Sequence, residues 1–130
     1  MPGLSRLRPL LTPFSFYALI LILSSIPGSQ IPHTDLTFGD KIIHFGVYSI
    51  LGFLLARTGF APLAMIALGM ALGGFDETYQ AFTPGRSPDV FDWVADALGI
   101  TCGVVLFPVL YPILQKIFPG KRPSPPPSDP

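Results

Sequence analysis

Apolar and polar positions fall in long blocks along this chain, and the blocks predict four helices. Leu10–Ile26 is apolar apart from Thr12, Pro13 and three serines. Its 17 or so residues reach roughly 26 Å as a helix, enough to cross a slightly thinned bilayer. Pro27–Gly39 carries prolines, glycines and other turn formers and reads as a loop. His33 and Asp35 are solvated there. A second apolar block, Asp40–Arg57, begins with an acid suited to capping a helix N-terminus and ends at an Arg57-Thr58-Gly59 turn. The third starts at Pro62, a residue tolerated at a first helical position. It runs through Phe75 and continues over Asp76–Gln80. After Pro84-Gly85 a fourth block extends from Asp89 to Phe118, with Pro108 and Pro112 set to kink it.

These blocks make one all-α membrane domain over residues 10–118, with spans near 10–26, 40–57, 62–80 and 89–118. Residues 1–9 form a short polar start. Residues 119–130, PGKRPSPPPSDP, are too polar and proline-rich to bury a core, which predicts disorder. Gly69–Gly73 and Gly99–Gly103 have the spacing of small residues that lets helices approach closely in lipid.

Composition changes the picture from helical to membrane-embedded. Of 130 residues, 49% are hydrophobic and 12% charged, and mean hydropathy is +0.54. Soluble domains carry roughly 25% charged residues, so this chain has about half the charge needed to coat a water-exposed surface. A net charge of zero lacks the basic footprint of a nucleic-acid partner. The lone Cys102 permits no intramolecular disulfide and reads as a small packed hydrophobe.

Charge also predicts orientation. With four spans, Arg6, Arg8, Arg57, Lys116, Lys121 and Arg122 share one side, and only Lys41 and Arg86 lie opposite. Basic residues collect on the cytoplasmic side. The expectation is a multi-pass cell-membrane protein, a four-helix transmembrane bundle with both termini cytoplasmic. The first block also fits a cleaved signal peptide, given its basic start and the small residues Ser24, Ser25 and Gly28. All acids but Asp129, and both histidines, then fall on the outer side.

The candidate chemistry is concentrated in that outer layer. Of eight acids, four lie within Asp76–Asp92 and Asp96 makes a fifth. Residues three or four apart share a helix face, so Asp40, His44 and Tyr48 form one stripe, with Lys41 beside it. Asp76, Glu77 and Gln80 form a second stripe, and Asp89, Asp92 and Asp96 a third. Ionisable groups at membrane depth are costly and mark function, and His44 and Asp96 are the deepest. Acids at the end of the third helix oppose its dipole. Arg86 fits either an ion pair with these acids or a grip on a phosphate. Tyr17, Tyr79, Phe91, Trp93 and Tyr111 read as interfacial anchors. Gln80 and Tyr48 read as hydrogen-bond partners.

Asp40-Lys41-x-x-His44-x-x-x-Tyr48, then Asp76-Glu77-x-x-Gln80-x-Phe82-x-Pro84-Gly85-Arg86, then Asp92 with Gly99 and Gly103, resembles the VanZ-like family of small bacterial membrane proteins. Asp96 stands where the family pattern usually has Asn. The resemblance implies that the first block is a retained span. Founding members of the family are linked with resistance to the glycopeptide antibiotic teicoplanin.

Two function classes follow. One is a polar site at the outer membrane face that binds a cell-envelope or lipid-linked ligand (a phospholipid or lipid-linked cell-wall precursor). Asp40, Lys41, His44, Tyr48, Asp76, Glu77, Gln80, Arg86, Asp92 and Asp96 are its candidate residues. The other is a membrane-embedded enzyme acting on a phosphate-bearing lipid, with His44, Asp76 and Glu77 as candidate catalytic groups. The carboxylates and His44 also suit a divalent cation. Nucleotide loops, HExxH and GxSxG are absent. Ser87 is a conceivable nucleophile, though turn serines are common.

Overall fold

The computed structural model describes residues 8–30 and 37–119, with side chains from residue 39 in the second stretch. His33, Asp35, most of the N-terminal segment and nearly all of the proline-rich tail lie outside the described residues. Among the described residues there are four α-helices and no strand: α1 (Leu11–Ser24), α2 (Thr37–Ala56), α3 (Pro62–Gln80) and α4 (Val90–Ile117). Short 3-10 turns, Arg8–Leu10 and Gly28–Gln30, bracket α1.

The boundaries follow local chemistry. Pro62 sits in the first turn of α3, where a missing N–H costs nothing. The carboxylate of Asp89 caps α4 by accepting the Phe91 amide at 2.8 Å. Asp40 does not cap α2. That helix begins three residues earlier, at Thr37, so Asp40 lies in its first turn instead. Pro108 and Pro112 lie within α4, which remains helical through both.

By length and composition, α2 (Gly39–Ala56) and α4 (Val90–Ile117) can each cross a membrane. In the most apolar 18-residue stretch of each, only 22% is buried, so most of these two helices faces outward. An outward face of that kind suits lipid rather than water. α1 has 14 residues, about 21 Å of helix, which is shorter than the spans its apolar run suggested.

α2 and α4 pack backbone to backbone. A Cβ placed on Gly52 would overlap the Ile100 carbonyl, one on Gly99 the Phe45 carbonyl, and one on Gly103 the Ser49 carbonyl. The core between the helices holds Tyr48, Leu51, Leu55, Met65, Ile100 and Val104, joined from α1 by Tyr17 and Ile20. Tyr17 is therefore no interfacial anchor. It is 6% exposed, and its hydroxyl donates to the Leu72 carbonyl at 2.7 Å, tying α1 to α3. At the far end of α4, Phe107 stacks on Tyr111 at 4.9 Å and meets Phe53 edge-on at 5.1 Å.

The end of α1 is docked on the α3–α4 turn. The Gly28 amide donates to the Pro84 carbonyl at 3.0 Å, and the Thr83 hydroxyl donates to the Ser24 carbonyl at 3.2 Å. Gly85 has φ +75, a conformation open chiefly to glycine. This docking sets the place of Arg86, the next residue.

The α2–α4 contact yields a test with an internal control. Gly103→Ala should destabilise the protein by about 1–3 kcal/mol through overpacking. Gly46→Ala, where a Cβ meets nothing within 4 Å, should be neutral or slightly stabilising because Ala is the better helix former. Thermal melting of both variants in detergent checks this. Equal melting temperatures would contradict the close packing.

Candidate functional site

The start of α2, the end of α3 and the start of α4 meet at one end of the bundle. The stripe on α2 reaches across as three rungs. Lys41 Nζ donates to Asp89 Oδ2 and to Asp92 Oδ1, both at 2.7 Å. One turn deeper, His44 Nδ1 lies 2.9 Å from Asp96 Oδ1. One turn deeper again, the Tyr48 hydroxyl donates to Asp76 Oδ2 at 3.0 Å. The glycine contacts between α2 and α4 hold the first two rungs in register.

α3 contributes the third wall. Gln80 Nε2 donates to Asp76 Oδ2 at 3.3 Å, and Gln80 Oε1 accepts from Arg86 Nη1 at 3.0 Å. Glu77 Oε2 accepts the backbone amide of Asp89 at 3.0 Å, linking α3 to the cap of α4. The ten sequence-predicted residues are thus brought to one region. Asp76, Glu77, Gln80, Asp92 and Asp96 are buried, Tyr48 is among the most buried side chains, and Asp40 is exposed at the rim. Trp93 stays exposed, and its indole N–H donates to the Met70 carbonyl at 3.1 Å.

A cavity of about 120 Å³ opens beside this cluster. Ile20 and Leu23 of α1 and Ile43 and Val47 of α2 give it apolar walls. Asp40, His44, Tyr48, Asp76, Gln80 and Arg86 give it a polar end. Ser87 is exposed and is not among its lining residues.

Charge in the cluster is unevenly matched. Ionised carboxylates taken out of water cost several kcal/mol each unless paired. Among the described residues, Lys41 serves Asp89 and Asp92, and His44 serves Asp96. Asp76 Oδ1, Glu77 Oε1 and Asp96 Oδ2 are buried with no hydrogen-bond partner. Arg86 makes no ion pair with these acids, contrary to one of its two sequence readings, and its Nε is buried without a partner. Among the described residues, two sets of ligand atoms are compact enough for a metal ion: Asp40, His44 and Asp92, and His44, Glu77 and Asp96.

Sequence reasoning missed Ser24. It is 5% exposed, lines the cavity, and its hydroxyl accepts from Gln80 Nε2 at 3.4 Å. A signal was present. Pro13, Tyr17, Ile20 and Ser24 step by four, three and four, and they are the buried residues of α1.

Comparison with known proteins decides the family. A sequence model described as VanZ/LLP1 matches residues 3–111, taking in α1 to α3 and most of α4. The chain belongs to the VanZ/LLP1 family. A curated relative of this VanZ/LLP1 chain is an uncharacterized protein of Schizosaccharomyces pombe, C11E3.10, 30% identical over 98 residues. The alignment covers 71% of this chain, which spans 60% of that relative's length. No solved structure matches.

The outermost rung gives a pH prediction. Asp89 is held below the ordinary carboxylate range, first by the hydrogen bond from Lys41 and then by that from the Phe91 amide. Its folded value lies below its unfolded one. Stability from this pair is therefore present above the unfolded carboxylate value, near about 4, and is lost as pH falls through the folded value. Melting temperature followed from neutral to acid pH should fall less steeply for Asp89→Asn than for the wild type. Parallel curves would contradict the pairing.

Proposed function

We propose that this VanZ/LLP1 protein is a multi-pass protein of the cell membrane. Its four helices cross as a bundle with both termini cytoplasmic, and the cluster lies at the outer face. There it binds the phosphate-bearing head of a lipid or lipid-linked envelope ligand. A part in glycopeptide (teicoplanin) resistance would be one expression of such binding.

The observation that carries this reading is Arg86. The residue lines the cavity, has no carboxylate partner among the described residues, and keeps Nε buried and unbonded. A planar guanidinium in a partly apolar pocket suits two-point recognition of a phosphate. The volume admits a small anionic group or several waters, while Ile20, Leu23, Ile43 and Val47 offer an apolar flank for an acyl or prenyl chain. A similar sequence in a fungus favours a ligand chemistry common to membranes over one confined to bacterial walls.

A second reading is catalysis, and one contact favours it. His44 borders the cavity and is oriented by a fully buried carboxylate, Asp96, at 2.9 Å. A histidine held in that way is suited to general acid–base work on a bound phosphate ester.

Lipid binding by native mass spectrometry of the delipidated protein tests the first reading and separates the second. A polyprenyl phosphate or phosphatidic acid should bind at least about tenfold more weakly to Arg86→Gln, a loss of roughly 1.4 kcal/mol. Diacylglycerol should bind poorly to both proteins. Equal binding of phosphate-bearing and uncharged lipid would overturn the assignment. His44→Gln should keep phosphate-lipid binding, and under the catalytic reading it alone should abolish turnover of the bound lipid.

A further inference from the structure

We infer that His44, Glu77 and Asp96 form a binding site for one divalent metal cation. One ligand atom from each lies within 4.8 Å of those of the other two. Atoms bound to one cation at about 2.0–2.2 Å lie at most roughly 4.4 Å apart, so the three groups draw slightly closer around an ion.

Compactness alone would not single out this set, because Asp40, His44 and Asp92 are equally close. Burial and partnership separate the two. In the outer set, Asp92 already accepts from Lys41 at 2.7 Å and Asp40 is exposed to solvent. In the inner set, Glu77 is 7% exposed and Asp96 is 0% exposed. Each has one oxygen engaged and the other bare. Glu77 Oε2 takes the Asp89 amide and Asp96 Oδ1 takes His44, while Glu77 Oε1 and Asp96 Oδ2 are buried without a partner.

That division of labour is what a metal site requires. The Asp89 amide orients the Glu77 carboxylate, as outer-shell contacts do around bound metals, and the His44–Asp96 contact holds those two groups side by side. The bare oxygens leave each carboxylate with unused acceptor capacity for a cation. Lys41 is committed to Asp89 and Asp92, so among the described residues no lysine or arginine makes an ion pair with Glu77 or Asp96. One imidazole and two carboxylates suit Mn²⁺, Fe²⁺, Zn²⁺ or Mg²⁺, and not a soft ion such as Cu⁺. Three protein ligands leave coordination positions for water or a ligand oxygen. His44 belongs both to this set and to the cavity wall. The inference does not depend on the phosphate reading.

The test uses the full chain in detergent with Mn²⁺ as the probe, followed by loss of the free-ion electron paramagnetic resonance signal. One Mn²⁺ should bind per chain. Glu77→Gln and Asp96→Asn should each weaken binding at least about tenfold, whereas Asp40→Asn should leave it within about twofold. Absence of Mn²⁺ and Zn²⁺ binding to the wild type would overturn the site, as would a loss in Asp40→Asn equal to that in Asp96→Asn. If neither inner variant folds, the wild type still decides. Its melting temperature should rise with Mn²⁺ and fall back with a chelator, and an unchanged value would refute the site. Mn²⁺ is measured without lipid, so failure of the phosphate reading and failure of the metal site are separable results.

Discussion

The close approach of α2 and α4 is the constraint on which the rest depends. Gly52, Gly99 and Gly103 let the two backbones touch where any side chain would collide with a carbonyl of the opposite helix. In lipid the apolar surfaces of helices gain little by meeting each other, so association relies on van der Waals packing between small residues and on hydrogen bonds. Both are present along this seam. Contact at the glycines fixes the register, and the register sets His44 against Asp96 and Lys41 between Asp89 and Asp92. A slip of one residue would turn the α2 stripe away from its partners and strand charged groups in an apolar setting.

The cluster is graded from its rim inward. At the rim, acids are matched by an ammonium. Deeper, among the described residues, Asp76 is held by Tyr48 and Gln80 alone, and Glu77 and Asp96 keep bare buried oxygens. A fold selected only for stability would gain by replacing such groups with well-packed apolar ones. Their presence, next to a cavity with an arginine at its polar end, is the physical ground for reading the cluster as a binding centre. α1 and its following turn complete the enclosure, since Ser24 borders the cavity and the Gly28–Pro84 contact anchors the turn that carries Arg86.

Much of this was legible in the chain because helical spacing is a strong signal when polar residues are rare. Pro62–Gln80 and the start of the last helix near Asp89 could be read from a proline, the Pro84-Gly85 turn and the length of the apolar runs. The helical steps 40–44–48 and 89–92–96 placed the polar stripes on single faces. Less could be read where the pattern is uniform. α1 is apolar on nearly every side, so the buried face carrying Tyr17 and Ser24 was hidden among equally hydrophobic neighbours, and its helix is shorter than its apolar run. Asp40 looked like a cap because the residues before it resemble a loop, yet α2 starts at Thr37. Pairing across helices was not legible at all: no spacing rule states that Lys41 takes Asp89 and Asp92 while Arg86 takes Gln80.

The central claim is that stripes from separate helices meet as one energetically connected site. A double-mutant cycle on His44 and Asp96, combining His44→Gln and Asp96→Asn and measured by reversible unfolding in detergent, tests it most directly. Residues in direct contact within a buried polar network couple by about 0.5–3 kcal/mol. The geometry predicts a coupling of at least about 1 kcal/mol, because each partner removed leaves the other buried and unpaired. Additivity within about 0.3 kcal/mol, the behaviour of independent sites, would show that the two residues do not meet, and with them the proposed site would fall.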